Sequence, residues 1–280
     1  MLIKYNLDDK GTGHVFERKE LHVMENSKYQ RIEISDVDIL GRVLVLDNII
    51  QLSELDCDRY HESFAHIPMA CVAEPRRALI LGGGDGILAK ELLKYPDLVI
   101  DMVDIDERVC ELSKEHLLSL HQNSFESERL NLYYQDALSF CEQCEELYDV
   151  IYADITDPHP NSPSASLLSD SAIETYKSLM NPDGIFVSQT DNIQIAPEHS
   201  AGVQKKLSGH FDMTGDYSIV ALTLSSIFSF VWASDIVRVE PSKKYVECNW
   251  LNKKRAKFCF DLIDNALGCL LYTSPSPRDQ

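Results

Sequence analysis

The stretch Leu79–Lys90, LILGGGDGILAK, decides the fold of this chain. An apolar strand runs into three glycines, then Asp85 and Gly86, and a helix is predicted to begin there. Glycines at such a turn let the backbone approach a ligand closely, and the free N–H groups of the helix point back at it. Asp85 would repel a phosphate or a carboxylate and attract a cation. The loop therefore predicts a site for a nucleoside-type ligand that carries a positive charge.

Downstream of residue 78, short apolar strands alternate with amphipathic helices, which is typical of a parallel sheet covered on both faces. Strands are predicted at Ala78–Leu81, Val99–Val103, Leu130–Tyr134, Val150–Ala153 and Ile185–Gln189. Helices are predicted at Ile87–Lys94, Arg108–Leu117, Ala137–Cys144, Ser171–Leu179 and Ala201–Leu207. Pro182-Asp183-Gly184 predicts a turn, and Tyr217–Ala233 is apolar enough for two closing strands. The predicted fold class is α/β, with a Rossmann-like, methyltransferase-type sheet that is mostly parallel.

The first fifty or so residues predict a small antiparallel β domain. Tyr29–Ser35 alternates polar and apolar residues, and Asp47-Asn48 predicts a hairpin turn between Gly41–Leu46 and Ile49–Leu52. Asp56 to about Cys71 predicts a helix. The predicted division is therefore a β domain at 1–55, a catalytic domain at 56–240 and an extension at 241–280. The end of that extension, Leu270–Gln280, has two prolines and two serines and is predicted to be disordered.

The charge of the chain restricts its partners. It holds 26 Lys and Arg against 45 Asp and Glu, a net charge of −19 at pH 7. Such a chain is expected to repel nucleic acid and anionic membranes and to attract cationic small molecules, although solubility alone also explains acidity. Neither a membrane-spanning apolar run nor a secretory signal is evident, so a cytoplasmic location is predicted.

The eight cysteines include one closely spaced pair, Cys141 and Cys144. A single CxxC without a second pair or nearby histidines is weak evidence for zinc, and this pair lies in a predicted helix. We therefore predict no metal site and expect eight reduced thiols, as is usual in the cytosol.

Acidic residues follow the predicted parallel strands at their carboxyl ends, where open sheets of this class bind ligands. They are Asp104, Asp136, the pair Asp154 and Asp157, and Asp191, which follows Gln189. Each has a purely structural alternative: Asp85 or Asp104 could cap a helix, and Asp154 and Asp157 could hold a turn before Pro158. Together with Asp85 they would repel one another and raise each other's pKa, which a cationic ligand would relieve.

Position along the sheet suggests a role for each acid. Asp104 lies at the spacing expected of a ribose-binding acid, and Asp136 with the backbone of Ala137 suits an adenine amino group. Asp85 lies between the nucleoside and the reaction centre. Asp154 and Asp157 lie across the cleft, where a carboxylate could accept a proton from the ammonium of a second substrate.

These residues resemble the spermidine synthase (polyamine aminopropyltransferase) family. The segment Gly41–Glu62, GRVLVLDNIIQLSELDCDRYHE, looks like the N-terminal motif of that family. GGGDG, VDID, the Asp136-Ala137 pair and DITDP follow in the same order and at similar spacing. The resemblance covers roughly Tyr29 to Gln189.

The resemblance implies an enzyme without a prosthetic group that uses decarboxylated S-adenosylmethionine as co-substrate and putrescine as the expected acceptor. An amine would attack the methylene next to the sulfonium, and 5′-methylthioadenosine would leave. By similarity, the nucleoside would be held by Gln51, Asp104, Asp136, Ala137 and Pro163. The aminopropyl group and polyamine would be bound by Tyr60, His61, Asp85 and Asp157, and Asp154 would be the proton acceptor. Family members are commonly dimers or tetramers, so a homo-oligomer is expected.

Three departures from the family pattern leave alternatives open. Ala137 replaces the usual glycine, and the loop after Asp157 is two residues longer, with Pro163 aligned to the nucleoside-contacting proline. A late tyrosine-proline-serine-glycine stretch that contacts the acceptor is replaced by Leu222–Ser226. The alternatives are transfer to a different polyamine, a methyltransferase that uses S-adenosylmethionine, and a polyamine- or nucleoside-binding protein without turnover.

Overall fold

The N-terminal part of the chain is a closed barrel of five strands. The structure is a computed structural model that describes residues 1–6, 13–155, 163–192, 197–223, 226–242 and 244–271, with the backbone only at 163–165, 191–192, 197, 226 and 263–271. The strands are β1 (Leu2–Asn6), β2 (Gly13–Asn26), β3 (Arg31–Val37), β4 (Gly41–Leu46) and β5 (Ile49–Ser53). Neighbours pair antiparallel, and β1 closes the barrel by pairing parallel with β5. The predicted antiparallel β domain is confirmed, although β1 and β2 were not predicted.

The turn between β4 and β5 shows why this hairpin could be predicted. Asp47 and Asn48 both have positive φ, 48° and 69°. A two-residue turn with this backbone matches the twist of its flanking strands, and Asp and Asn tolerate it better than most residues. The local sequence therefore determines the turn without help from tertiary contacts.

The remaining strands form one seven-stranded sheet. They are β6 (Arg77–Gly82), β7 (Val99–Asp104), β8 (Leu130–Tyr134), β9 (Tyr148–Asp154), β10 (Met180–Asn192), β11 (Met213–Ala221) and β12 (Ser226–Ser234). Their order is β11-β12-β10-β9-β6-β7-β8, with β10 to β8 parallel and β12 antiparallel to both its neighbours. The chain runs outward from β6 in one direction and then, from β9, in the other. This switch point between β6 and β9 is where such sheets form a ligand crevice.

Helices cover both faces of the sheet. They are α1 (Cys57–Met69), α2 (Ile87–Leu92), α3 (Glu107–His116), α4 (Leu118–His121), α5 (Ala137–Gln143), α6 (Asp170–Ser178), α7 (Pro197–Leu207) and α8 (Lys253–Leu271). Alternate residues of β6 point to opposite faces because side chains of a strand alternate. Ala78 and Ile80 pack in the core with α1, α2 and α8, and Leu79 and Leu81 pack in the core with α5, α6 and α7. The predicted Rossmann-like α/β fold is confirmed.

Two local predictions differ from the structure. Residues Pro182–Gly184 lie inside β10, where the register with β9 shifts between Met180 and Ile185, so the predicted turn is an irregularity of a longer strand. Leu270 and Leu271 belong to α8, and residues 272–280, where disorder is predicted, lie outside the described residues. Among the described helices, none is both long and apolar enough to cross a membrane.

The segment before α8 is attached to α1 through Glu62, which is fully buried. Its carboxylate accepts hydrogen bonds from the backbone N–H groups of Asn249 (2.6 Å), Trp250 (2.8 Å) and Leu251 (2.6 Å). Hydrogen bonds to a buried carboxylate are the strong kind, since they compensate the loss of its hydration. Glu62 therefore has a structural role, although it stands beside Tyr60 and His61 in the motif.

Candidate active site

The glycine loop lies directly against the end of β9. Gly82 has φ of +89°, and a Cβ there would stand 2.1 Å from the carbonyl oxygen of Asp154. The backbone N–H of Gly83 donates to that same oxygen at 3.2 Å. Only glycine permits this approach and backbone conformation together. The loop thereby fixes the position of Asp154 next to the turn between β6 and α2.

Asp85 is held at the start of α2 and faces a histidine from α1. Its Oδ1 accepts a hydrogen bond from the backbone N–H of Ile87 at 2.7 Å, and its Oδ2 lies 3.8 Å from Nε2 of His61. His61 is buried, and its Nδ1 donates to the carbonyl oxygen of Cys57 at 2.9 Å, because a carbonyl can only accept. Burial lowers the pKa of His61, but Cys57 and Asp85 outweigh it and hold the pKa well above its ordinary value.

Asp104 ends β7 next to the same loop. Its Oδ1 accepts from the backbone N–H of Asp106 at 2.8 Å, and a Cβ on Gly84 would stand 2.7 Å from its Oδ2. The pKa of Asp104 is raised to about 6, chiefly by burial and also by the Asp106 and Asp85 carboxylates, while the N–H groups of Asp106 and Gly84 oppose the shift. Ionisation of Asp104 is therefore unfavourable unless a positively charged partner is bound beside it.

Asp154 completes the group at the end of β9. Its pKa is raised to about 7, chiefly by burial and further by the carboxylates of Asp85 and Asp104, with His61 opposing them. Three carboxyl groups and one imidazole thus lie close enough to influence one another. The cluster carries an excess of negative charge that a bound cation would neutralise.

A narrow pocket lies beside this cluster, with about 260 Å³ of empty space that includes open solvent at its mouth. Its lining is Gln51, Leu52, Ser53, Asp56, Cys57, Tyr60, His61, Ala221 and Thr223. The wall is therefore shared by β5 of the barrel, the first turn of α1 and the end of β11. Tyr60 is fixed by ring contacts with Phe230 and Phe228, with centroids at 5.1 and 5.6 Å. The predicted residues Gln51, Tyr60 and His61 are thus brought together in one pocket.

Asp136 and Ala137 begin α5 at the same edge of the sheet. Oδ1 of Asp136 accepts from the backbone N–H of Ser139 at 2.9 Å, so this exposed acid caps the helix. The N–H of Gln135 donates to the carbonyl oxygen of Asp104 at 3.2 Å, which ties the loop to β7. Asp136 therefore has a structural role as the cap of α5, through one of its two carboxylate oxygens.

Asp157, Pro163 and Asp191 lie in or beside the parts of the chain that the structure leaves undescribed. Asp157 lies outside the described residues. Pro163 begins a short 3₁₀ helix, Pro163–Leu168. The structure describes the backbone of Pro163 but not its side chain. Asp191 lies near the end of β10 and is likewise described by its backbone, whereas Gln189 is buried and donates to the carbonyl oxygen of Ile155.

Sequence reasoning missed the buried carboxylate in the pocket wall, Asp56. Asp56 accepts hydrogen bonds from Ser53 Oγ (3.0 Å), the N–H of Thr223 (2.9 Å) and Thr223 Oγ1 (2.5 Å). This network joins the barrel, α1 and the connection after β11. Thr223 is 167 positions away from Asp56, so local patterns carried no signal for the contact.

Comparison with known proteins agrees with this architecture. A model of the spermine/spermidine synthase domain matches residues 57–242, and a model of the spermidine synthase tetramerisation domain matches residues 6–54. The chain is similar in fold to a spermidine synthase solved in complex with the transition state analogue AdoDATO (TM-score 0.88, 24% identity, 96% of this chain and 95% of that one). The spermidine synthase from Thermotoga maritima is also similar (TM-score 0.86, 24% identity, 96% and 94%).

Relatives with higher sequence identity to this chain are named polyamine aminopropyltransferases. Polyamine aminopropyltransferase 2 of Hyperthermus butylicus is 32% identical over 228 residues, covering 81% of this chain and 74% of the relative. The polyamine aminopropyltransferase of Aeropyrum pernix is 36% identical over 211 residues, covering 75% and 67%. That of Pectobacterium atrosepticum is 33% identical over 225 residues, covering 80% and 78%. The chain therefore belongs to the spermine/spermidine synthase family and is a polyamine aminopropyltransferase of the spermidine synthase type.

Proposed function

We propose that this enzyme transfers the aminopropyl group of decarboxylated S-adenosylmethionine to putrescine, giving spermidine and 5′-methylthioadenosine. The observation that carries the proposal is the cluster of Asp85, Asp104, Asp154 and His61 next to a pocket. Both substrates are cationic, and a surplus of buried carboxylates favours cations over neutral or anionic ligands. The AdoDATO complex of a protein with the same fold supports the nature of the co-substrate.

The chemistry requires one new bond and one broken bond. The amine nitrogen of putrescine attacks the methylene carbon next to the sulfonium, the C–N bond forms, and the C–S bond breaks. The electron pair of that bond neutralises the sulfonium, so 5′-methylthioadenosine leaves as a neutral thioether. The attacking amine has to be unprotonated, and the proton of the putrescine ammonium passes to a base. Holding the two reactants in line supplies the larger part of the acceleration.

Asp154 is proposed as that base. A carboxyl group with a pKa of about 7 is basic enough to take a proton at neutral pH and is still ionised in a large fraction of molecules. Its position at the end of β9, fixed by the contact between Gly83 and its backbone, supports a rigid placement. We assign Tyr60, His61, Asp85 and Asp157 to the aminopropyl group and the polyamine. We assign Gln51, Asp104, Asp136, Ala137 and Pro163 to the nucleoside.

Asp85 is proposed to distinguish the co-substrate from ordinary S-adenosylmethionine. The decarboxylated form brings an ammonium to this region, whereas S-adenosylmethionine would also bring a carboxylate next to an existing one. Unpaired like charges in a partly desolvated site cost several kcal/mol, roughly enough for strong discrimination. A methyltransferase would need a tolerant group here, so Asp85 weighs against that activity.

The identity of the acceptor depends on the stretch Leu222–Ser226. The pocket wall holds Thr223 in the stretch Leu222–Ser226, which departs from the family pattern, so a different polyamine is the second candidate. We further propose that the enzyme is cytoplasmic, binds neither nucleic acid nor membrane, and forms a homo-oligomer, a dimer or tetramer, through its barrel. The match of residues 6–54 to a tetramerisation domain supports the assembly.

The test is release of 5′-methylthioadenosine from decarboxylated S-adenosylmethionine in the presence of putrescine, cadaverine, spermidine or agmatine. We expect product with putrescine and none when S-adenosylmethionine replaces the decarboxylated form. Faster turnover with another amine would change the acceptor but keep the reaction. Tight binding of 5′-methylthioadenosine without product from any amine would instead support a binding protein and overturn the proposed activity.

A further inference from the structure

Cys57 lies in the pocket wall in direct contact with His61. Its Sγ is 3.6 Å from Nδ1 of His61, and the opposite ring nitrogen faces Asp85 at 3.8 Å. The three side chains therefore form a chain of thiol, imidazole and carboxylate. This order is the arrangement by which enzymes activate a nucleophilic cysteine, since the carboxylate stabilises the imidazolium and the imidazolium stabilises the thiolate.

Two further features place positive charge near the sulfur of Cys57. Cys57 is the first residue of α1, a helix of 13 residues, and the positive end of a helix dipole stabilises an anion there. Lys90 also interacts electrostatically with Cys57: burial lowers the pKa of Lys90, but Glu91 and, to a lesser degree, Cys57 raise it overall. The carboxylate of Asp58, which would oppose a thiolate, lies 3.6 Å from the same ammonium.

Cys71, close to the other end of α1, provides a contrast. Its thiol donates to the carbonyl oxygens of Ile67 and Glu240 at 3.6 Å each, and burial raises its pKa. Hydrogen bonds to carbonyl oxygens favour the protonated thiol, whereas an imidazolium favours the thiolate. Cys57, at the start of α1, and Cys71, beyond its end, thus have opposite surroundings.

From this contact chain we propose that Cys57 is a peroxide-sensitive thiol that reversibly blocks the pocket. The thiolate of Cys57 attacks one oxygen of hydrogen peroxide, the S–O bond forms as the O–O bond breaks, and the sulfur becomes a sulfenic acid. The departing hydroxide takes the proton of the His61 imidazolium and leaves as water. The sulfur is oxidised by two electrons, and the peroxide is reduced by two.

Oxidation would change the pocket in two ways. The added oxygen occupies space in the pocket that Cys57, Tyr60 and His61 line, and His61 loses the positive charge that pairs it with Asp85. A thiol reductant such as dithiothreitol restores the cysteine, because sulfenic acid is a reversible state. The effect on aminopropyl transfer rests on the proposed function, whereas the oxidation itself does not.

The first experiment maps the oxidised residue in the intact wild-type protein without any activity measurement. The protein is treated with hydrogen peroxide in the presence of dimedone, which traps sulfenic acids, and the peptides are quantified by mass spectrometry. We expect the adduct on Cys57 to exceed that on Cys71 by about tenfold or more, because Cys57 contacts an imidazole whereas the thiol of Cys71 is bonded to two carbonyl oxygens. Equal labelling of the two cysteines, or no adduct on Cys57, overturns the proposal whether or not the protein has turnover.

The second experiment tests the role of the imidazole and the consequence for activity. His61→Asn, checked for its fold by circular dichroism, is expected to lower labelling of Cys57 several-fold, and unchanged labelling contradicts activation by His61. Turnover of the wild type and of Cys71→Ser should fall after peroxide and return with dithiothreitol. In Cys57→Ser the ratio of treated to untreated activity should stay near one, and equal inactivation of this variant refutes the pocket-blocking role.

Discussion

Replacing Asp154 by asparagine tests whether the proposed base is a destabilising group kept for function. The folded carboxyl has a pKa of about 7, against 3.8 for the ordinary group. A difference of this size corresponds to about 4 kcal/mol at pH 8, where the folded state has to hold a charge that it disfavours. Partial exposure of the side chain reduces this, so we expect Asp154→Asn to stabilise the protein by ~1–3 kcal/mol at pH 8.

The sign of the pH dependence follows from the raised pKa. A carboxyl whose pKa is higher in the folded state makes its full contribution to stability below about pH 4 and loses it as the pH rises toward 7. At pH 5 the folded carboxyl is mostly protonated, so removing it should matter much less than at pH 8. The stabilisation by Asp154→Asn is therefore expected to grow between pH 5 and pH 8.

The assay is thermal unfolding of the ligand-free protein at pH 5, 6, 7 and 8, with the release of 5′-methylthioadenosine measured alongside. For a chain of this length, 1–3 kcal/mol corresponds to roughly 2–10 °C in Tm. We expect Tm to rise at pH 8 while turnover falls by at least about a hundredfold, the usual scale for loss of a general base.

Asp149 is the matched control, because it lies on the same strand with its charge compensated. Its carboxylate accepts hydrogen bonds from the backbone N–H groups of Arg76 (2.7 Å) and Arg77 (2.9 Å) and from the side chain of Asn181 (2.7 Å). Asp149→Asn should lower Tm at every pH, since it weakens charge-assisted bonds. A Tm of Asp154→Asn that falls at pH 8, or that differs from the wild type equally at pH 5 and 8, would refute the reasoning.

Three further changes probe the loop and the attachment of α8. Asp85→Asn keeps the oxygen that accepts from Ile87 but loses the charge, so calorimetry should show much weaker binding of decarboxylated S-adenosylmethionine with little change for 5′-methylthioadenosine; equal losses would mean that the loop is only a cradle. Glu62→Gln should destabilise the fold by about 3–5 kcal/mol in denaturant unfolding, because the buried carboxylate accepts three backbone N–H groups, whereas Asp58→Asn should cost under about 1 kcal/mol; similar costs would contradict the structural role. Gly86→Ala places a side chain at φ +75°, with its Cβ 2.4 Å from the Phe125 ring. Both Tm and nucleoside affinity should therefore fall. An unchanged Tm would show that the loop can rearrange at little cost.

The arrangement of Asp85, Asp104 and Asp154 could be predicted because strand order has a simple geometric consequence. Parallel strands end at one edge, and a residue that follows any of them lies at that edge whatever the detailed packing. The glycine loop could be predicted for a similar reason, since only glycine tolerates its backbone and the contact with β9. The hairpin turn at Asp47 and Asn48 is local in the same sense.

Other features depend on residues that are far apart in the sequence. The barrel closes through Asn6 pairing with Ile49, and the alternation of β1 and β2 alone gives no sign of that partner. Helix α8 and its attachment to Glu62 were missed because three backbone N–H groups carry no residue-specific pattern. The contact of Thr223 with Asp56 likewise depends on how β11 ends above α1.

The sequence by itself determined the order of strands and helices, the glycine turn and the edge of the sheet at which the acids gather, because these depend on local backbone preferences and on residue periodicity. Only the tertiary structure decided which groups oppose those acids: His61 reaches Asp85 from α1, and Cys57 touches the same imidazole. Burial, which raises the pKa of Asp104 to about 6 and that of Asp154 to about 7, is also a property of the packed molecule. Charge and reactivity in the site therefore follow from packing, since desolvation and pair distances exist only once distant segments meet.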